Sequence, residues 1–247
     1  MICEYEGTKY NGFQSQITHN TIQDKIEHSI NKIVNSSISI EYAGRTDSGV
    51  HAKHQVISVK LKWNHDPIKL QNAINNYLPK DIRVKNIKIA PQYFHPRKSA
   101  ISRSYEYSIL RSDDSDVFTR NTALQFSEDL NLYYIKKCLT LLKGQHNFRN
   151  FCKEDSIPEN PIRILYDTSM IKEKNILKLK FKGSSFLRHQ VRFMVGTILK
   201  IGTKKTPIKT LKMMLESKNS SNFFIKYNVP PRGLCLTLVE YDGFSLN

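Results

Sequence analysis

From Thr21 the chain reads TIQDKIEHSINKIV, with Ile22, Ile26, Ile30, Ile33 and Val34 recurring at helical spacing. One face of an α-helix over residues 22–34 collects them, and Thr21 with Asp24 three residues on supplies a capping pair at its start. The period then changes. SISIEY alternates Ile38, Ile40 and Tyr42, QVISVKLK continues with Ile57, Val59 and Leu61, and both predict strands. Asp66 and Pro67 open a second helix that runs through Leu78, with proline in its first turn, and IRVKNIKIA reads as a closing strand. With a first strand over residues 1–5, the order is β-α-β-β-α-β.

The second half repeats that order without repeating the residues. RSYEYSIL at 103–110 is strand-like, and DLNLYYIKKCLTLLKG predicts a helix with Leu130, Tyr134, Cys138 and Leu141 on one stripe, stopped at Gly144. RILYDTSMI and ILKLKFK alternate as strands. A helix from about Phe186 to Ile201 follows, then a short one opened by Pro207, and GLCLTLVEY ends the series as a strand. The expected fold is α+β: two split βαβ, ferredoxin-like halves, residues 1–98 and 99–247, whose mainly antiparallel sheets join into one platform with helices on one face. Pro91 and Pro96 mark the junction between about 91 and 101.

Composition narrows the classes. At 247 residues and 39% hydrophobic the chain has enough apolar material for one large core or two modest ones, which argues against disorder. Its 38 Lys and Arg against 22 Asp and Glu give a net charge of +16, spread along the chain instead of gathered in a tail. Such an excess attracts polyanions, although a lysine-favouring composition would also produce it. Cys3, Cys138, Cys152 and Cys235 are far apart and form no CxxC, so reduced thiols in a cytoplasm are expected and structural zinc is not. No stretch approaches the roughly 18 apolar residues of a membrane span, and MICEYEGTKY lacks the layout of a signal peptide.

The candidate chemistry lies in YAGRTDSGVHA, residues 42–52, which joins the two predicted strands of the first half. GRTDSG spaces its two glycines as a phosphate-binding loop does, but Val50 and His51 stand where that loop needs Lys and then Ser or Thr, which rules it out. Asp47 is open to three readings: a turn residue bonding its own backbone, a metal ligand with His51 and His54, or a reagent. An arginine, a threonine and a histidine on one bend favour a ligand site over a plain turn.

These segments resemble the TruA family of tRNA pseudouridine synthases. GRTDSGVHA is similar to the family's catalytic signature, and YEGTKYNGFQSQ with TIQDKIE to its opening strand and first helix. FHPRKSAISRSYEY is similar to its F-H-A-R and S-R-x-Y-x-Y segment, with Pro96 in place of the usual alanine. GQHNFRNF is similar to G-x-H-D-F-x-x-F, with Asn147 in place of aspartate. QVRFMVG and VPPRGLCLTLVEY complete a match that runs in order along nearly the whole chain.

The resemblance implies conversion of uridine to pseudouridine at positions 38, 39 and 40 of the tRNA anticodon stem and loop, without cofactor or metal, by a cytoplasmic homodimer whose subunits grip tRNA jointly. It implies Asp47 as nucleophile, Arg192 as the cation paired with it, and Tyr105 stacking on the target uracil. Arg192 belongs to the other half, which would put the active-site cleft at the seam. Arg45 has the family's role of helping to extrude the nucleotide, and Arg97 borders the junction as a substrate contact. Arg188, expected one turn before Arg192 on the same helix face, reads either as a phosphate contact or as a surface cation. Tyr107 shares a strand face with Tyr105, so one of the two tyrosines is open to a core role. Leu187 and Val191 would supply apolar walls, while His51 and His54 read as loop support. Two rivals remain at this level: a silent RNA-binding protein, and a metal-dependent nuclease built on Asp47 and the two histidines.

Overall fold

The computed structural model describes residues 1–111, 116–216 and 227–244. The chain packs as two compact units, residues 1–103 with 235–247, and residues 104–234. The last strand, which the pattern places with the second half, therefore packs in the first unit.

The first unit is built on β1 (Ile2–Tyr5), α1 (Ile22–Val34), β2 (Glu41–Tyr42), β3 (His51–Ser58), α2 (Pro67–Tyr77) and β4 (Ile82–Lys85). β1 runs antiparallel to β3 on one side and to β4 on the other, and β2 pairs antiparallel with the far end of β3. That is the split βαβ arrangement, with β4-β1-β3-β2 as its strand order. The chain's last strand (Leu234–Tyr241) lies parallel to the start of β3, where Cys235 pairs with His51 and Leu236 with Ala52. α1 buries Ile22, Ile26 and Ile30, as its period requires, and its capping box is complete: Thr21 Oγ1 accepts from Asp24 N, and the Asp24 carboxylate accepts from Thr21 N. Such a box contributes about 1 kcal/mol.

Two strands are shorter than the alternation predicts, for local reasons. Ile38 N donates to Asn31 Oδ1 at 2.9 Å and Ile40 N to Glu27 Oε1 at 3.0 Å, so their amides are satisfied by side chains of α1 instead of by a ladder. Asn86 adopts a left-handed conformation (φ 48°), which ends β4 at Lys85 although IRVKNIKIA continues to alternate.

The second unit contains β5 (Ala100–Leu110), which begins in the first unit and continues into this one, then β6 (Leu124–Gln125), α3 (Leu132–Leu142), β7 (Gly144–Asn147), β8 (Ile162–Glu173), β9 (Ile176–Gly183), α4 (Gln190–Gly202) and α5 (Lys209–Glu216). With the last strand numbered β10, the sheet order here is β5-β9-β8-β7, and β6 pairs with β5 in parallel. β8 is antiparallel to both β7 and β9. β9 alternates as its sequence predicts, burying Leu177, Leu179 and Phe181 and leaving Lys178, Lys180 and Lys182 part-exposed. An α+β chain of mainly antiparallel sheets is thus what forms.

Two helices differ from their expected faces or limits. α3 buries Ile135, Cys138, Leu139 and Leu142; of the expected stripe Leu130 and Cys138 are buried, while Tyr134 and Leu141 stay part-exposed and Ile135 and Leu142 turn inward instead. Both stripes are apolar at helical spacing, so periodicity could not choose between them. α4 starts at Gln190 and not near Phe186, because His189 sits at φ 64° and the Gln190 side chain turns back to accept from Leu187 N at 2.8 Å. Arg188 therefore lies in the turn before the helix, which corrects its expected place one helical turn before Arg192.

α4 passes close to residue 227. A Cβ added at Gly196 would stand 1.8 Å from the carbonyl oxygen of Tyr227, so the backbone must move to admit one. Gly196→Ala is expected to destabilise the protein by about 2 kcal/mol or more, read as a lower urea midpoint at unchanged slope.

Candidate active site

The loop between β2 and β3, residues 43–50, has no regular structure, so its shape must come from what it rests on. It rests on the short 3₁₀ segment and bend at residues 7–13. Phe13 N donates to Thr46 O at 3.1 Å, Gly49 N to Tyr10 O at 3.4 Å, and Ser48 Oγ to the same Tyr10 carbonyl at 3.0 Å. Val50 N closes a turn on Asp47 O at 3.1 Å. Gly12 has φ 87°, and a Cβ there would meet Thr46 O at 2.8 Å, so the close approach of the two segments requires glycine. At the loop's start Gln55, fully buried, grips both faces of Gly44: its Nε2 donates to Gly44 O at 2.6 Å and its Oε1 accepts from Gly44 N at 3.3 Å. Next to the aspartate, Thr46 Oγ1 and Tyr5 Oη are 2.8 Å apart in a buried hydrogen bond. Asp47 itself is half-buried and Arg45 is exposed.

Both histidines of the motif are in structural use. Gly7 N donates to His51 Nδ1 at 3.0 Å, so that nitrogen accepts and the ring proton sits on Nε2. The Glu6 carboxylate 3.6 Å away is therefore not an ion-pair partner of that nitrogen. His54 Nδ1 accepts from Val239 N at 3.3 Å, tying β3 to β10. Among the described residues, no group of three or more His, Cys, Asp or Glu is placed to hold a metal.

Arg97 is exposed, and its carbonyl accepts from Arg103 Nη2 at 2.6 Å. The same nitrogen donates to Ala43 O at 3.2 Å, which sets the backbone of Arg97 beside the start of the loop that carries Arg45. The structure thus gathers Asp47, Arg45 and Arg97 in the first unit.

The other candidates lie in the second unit. Arg192, on α4, is 9% exposed, and its Nε donates to Val229 O at 2.8 Å, which fixes the plane of the guanidinium. Tyr107 Oη donates to the next carbonyl, Pro230 O, at 2.8 Å. Burial pushes the Tyr107 hydroxyl well up, while Arg192 and Arg232 pull it down. Tyr107 is fully buried, so of the two tyrosines it is the core residue. Tyr105 is part-exposed, its ring edge-on to Phe186 with centroids 5.1 Å apart. Leu187 and Val191 are buried. Arg188 is half-exposed, donating to Ser156 Oγ at 3.0 Å with Asp155 3.9 Å away. Lys153 and Ser156, which bond the Asp155 carboxyl, hold it below the usual range, so this arginine already faces a persistent anion.

The family model for tRNA pseudouridine synthase matches residues 1–97 and 139–242. The chain belongs to the tRNA pseudouridine synthase family. A tRNA pseudouridine synthase A of Pseudothermotoga lettingae is 34% identical over 241 residues, covering 97% of this chain and 98% of that one. Its counterpart in Borrelia hermsii is 36% identical over 239 residues, 96% of each chain, and that of a Geobacillus species 33% identical over 240 residues, 97% of this chain and 96% of the relative.

For this pseudouridine synthase, the sequence motifs point to the acid and its neighbours but not to the groups that hold them. Tyr5, Tyr10, Gly12 and Arg103 are not among the candidates, although the first three stand in the YEGTKYNGF segment that carries part of the resemblance. His51→Leu is expected to leave Gly7 N–H buried without its acceptor and to cost about 1–3 kcal/mol, measured as a lowered midpoint of thermal or urea unfolding.

Proposed function

We propose that the protein isomerises uridine to pseudouridine at positions 38, 39 and 40 of the tRNA anticodon stem and loop, with Asp47 as nucleophile. Family membership carries the reaction, and the observation that carries the assignment is a half-buried aspartate on a loop fastened along its length to residues 7–13. The reaction breaks the N1–C1′ glycosidic bond, turns the base, and joins C5 to C1′, with the C5 proton lost and N1 regaining one. Nothing is oxidised, reduced or added, so the chemistry calls for no cofactor. It calls for an anionic nucleophile positioned in a pocket that excludes water. Attack at C1′ of the ribose and attack at C6 of the uracil both satisfy this balance.

In this reading the first unit supplies the aspartate loop, and the second supplies the tyrosine and the arginine. Arg192 is the cation assigned to this acid, by its place in the QVRFMVG segment. Tyr105, the part-exposed member of its pair, stacks on the extruded uracil. Arg45 fills the space that the base vacates, and Arg97 and Arg188 meet phosphates. A net charge of +16 suits a tRNA partner, the enzyme works in the cytoplasm, and two copies grip the tRNA jointly. No helix of the described residues is long and apolar enough to cross a membrane.

Release of tritium from C5-labelled uridine in tRNA tests the assignment. The intact protein is expected to release it with or without chelator, and Asp47→Asn to release none while binding tRNA with near-unchanged affinity. Activity retained by Asp47→Asn would refute the role of the acid, and loss of activity with chelator would favour a metal enzyme.

A further inference from the structure

Thr46, the residue before Asp47, is held at both its polar groups. Its carbonyl accepts from Phe13 N, and its hydroxyl is hydrogen-bonded to Tyr5 at 2.8 Å. Tyr5 ends β1 and is paired on both sides, with Ala52 of β3 and Ile82 of β4, so its position is set by the centre of the sheet. Both residues are buried, Tyr5 at 4% exposure and Thr46 at 7%. Packing alone does not call for this pair. Phenylalanine and valine would fill the same volume without burying two hydroxyls, each of which is costly unless satisfied. What the hydrogen bond adds is direction: it locks the χ1 of a β-branched residue whose peptide leads directly into the aspartate.

We propose that Tyr5 and Thr46 are positioning residues for Asp47, acting through their hydroxyl–hydroxyl hydrogen bond. The loop has one short turn, which Val50 N closes on Asp47 O, and its residues 48 and 49 are tied to Tyr10, so Thr46 is the point at which the chain on the near side of the acid is fixed. Fixing the carbonyl of Thr46 holds the plane of the peptide, and fixing its hydroxyl holds the rotation of the residue. A displacement of about 1 Å in a reacting group is enough to lower a rate by roughly a hundredfold. The inference rests on the proposed role of Asp47 and concerns how that group is held, not what it does.

A double-mutant cycle separates positioning from stability. Tyr5→Phe and Thr46→Val each remove one side of the pair and leave the other hydroxyl buried without it, so both are expected to lower Tm. The double variant removes both polar groups and should recover most of that Tm. For tritium release from C5-labelled tRNA, each single variant is expected to lose about 10- to 100-fold in kcat with KM within about twofold, and the double variant to be no worse than the poorer single but no better. Thr46→Ser, which keeps the hydroxyl, should stay within about threefold of the intact protein. A kcat that recovers with Tm in the double variant, single variants with unchanged kcat, or losses that multiply would each overturn the inference. An intact protein that released no tritium would instead overturn the function itself.

Discussion

An aspartate on an irregular loop is useful as a reagent only if something outside the loop keeps it still. Here that constraint is met by laying residues 43–50 along residues 7–13, with hydrogen bonds from Phe13, Ser48 and Gly49 and a glycine where a side chain would force the segments apart. The arrangement works because both segments leave the same sheet: one follows β1, the other precedes β3, and the two strands are paired. Rigidity of the strands is thus passed to a loop that has no ladder. A site built on such a frame can hold a reacting group within a few tenths of an ångström, which orientation-dependent catalysis demands.

The charge of the chain divides into two uses. Several arginines act as donors to backbone carbonyls of their own chain: Arg103 to Ala43, Arg97 and Ala100, Arg83 to Pro79 and Ile82, Arg163 to Asn160 and Ile162, and Arg192 to Val229. The planar guanidinium suits this work because one head satisfies carbonyls that no ladder reaches. Several lysines stand instead on outer surfaces, in pairs such as Lys85 with Glu4, Lys143 with Asp167 and Lys205 with Glu128. Exposed pairs of this kind contribute little to stability and exchange readily for another anion. A polyanion such as tRNA can therefore draw on the lysines.

Local signals are legible in the sequence and distant pairings are not. The capping box of α1, the proline that opens α2 and the alternation of β9 depend on residues within a few positions of one another, and each appears where the pattern puts it. The last strand packs with the first unit because of pairings about 184 residues apart, Cys235 with His51, which no local period encodes. Segment 38–40 looks like strand because its alternation is real, yet its amides bond the side chains of Asn31 and Glu27. At the site the same distinction holds. Asp47 and Arg45 are found on a loop because their motif is contiguous, whereas Tyr5 with Thr46 and Arg103 with Ala43 join residues 41 and 60 positions apart. The apolar pattern puts Arg188 on the helix because Phe186 to His189 fit its period, and the left-handed His189 that breaks it leaves no mark in that pattern.

Amide hydrogen exchange measures most directly whether the aspartate loop is held as firmly as this account requires. The amides of Gly7, Phe13 and Val50, bonded respectively to His51, Thr46 and Asp47, should exchange as slowly as that of Ile57 in β3, which donates to Met1 O at 3.0 Å. Exchange of these three at the rate of an open, solvent-bonded loop would show that residues 43–50 move independently of the sheet, and would contradict the account.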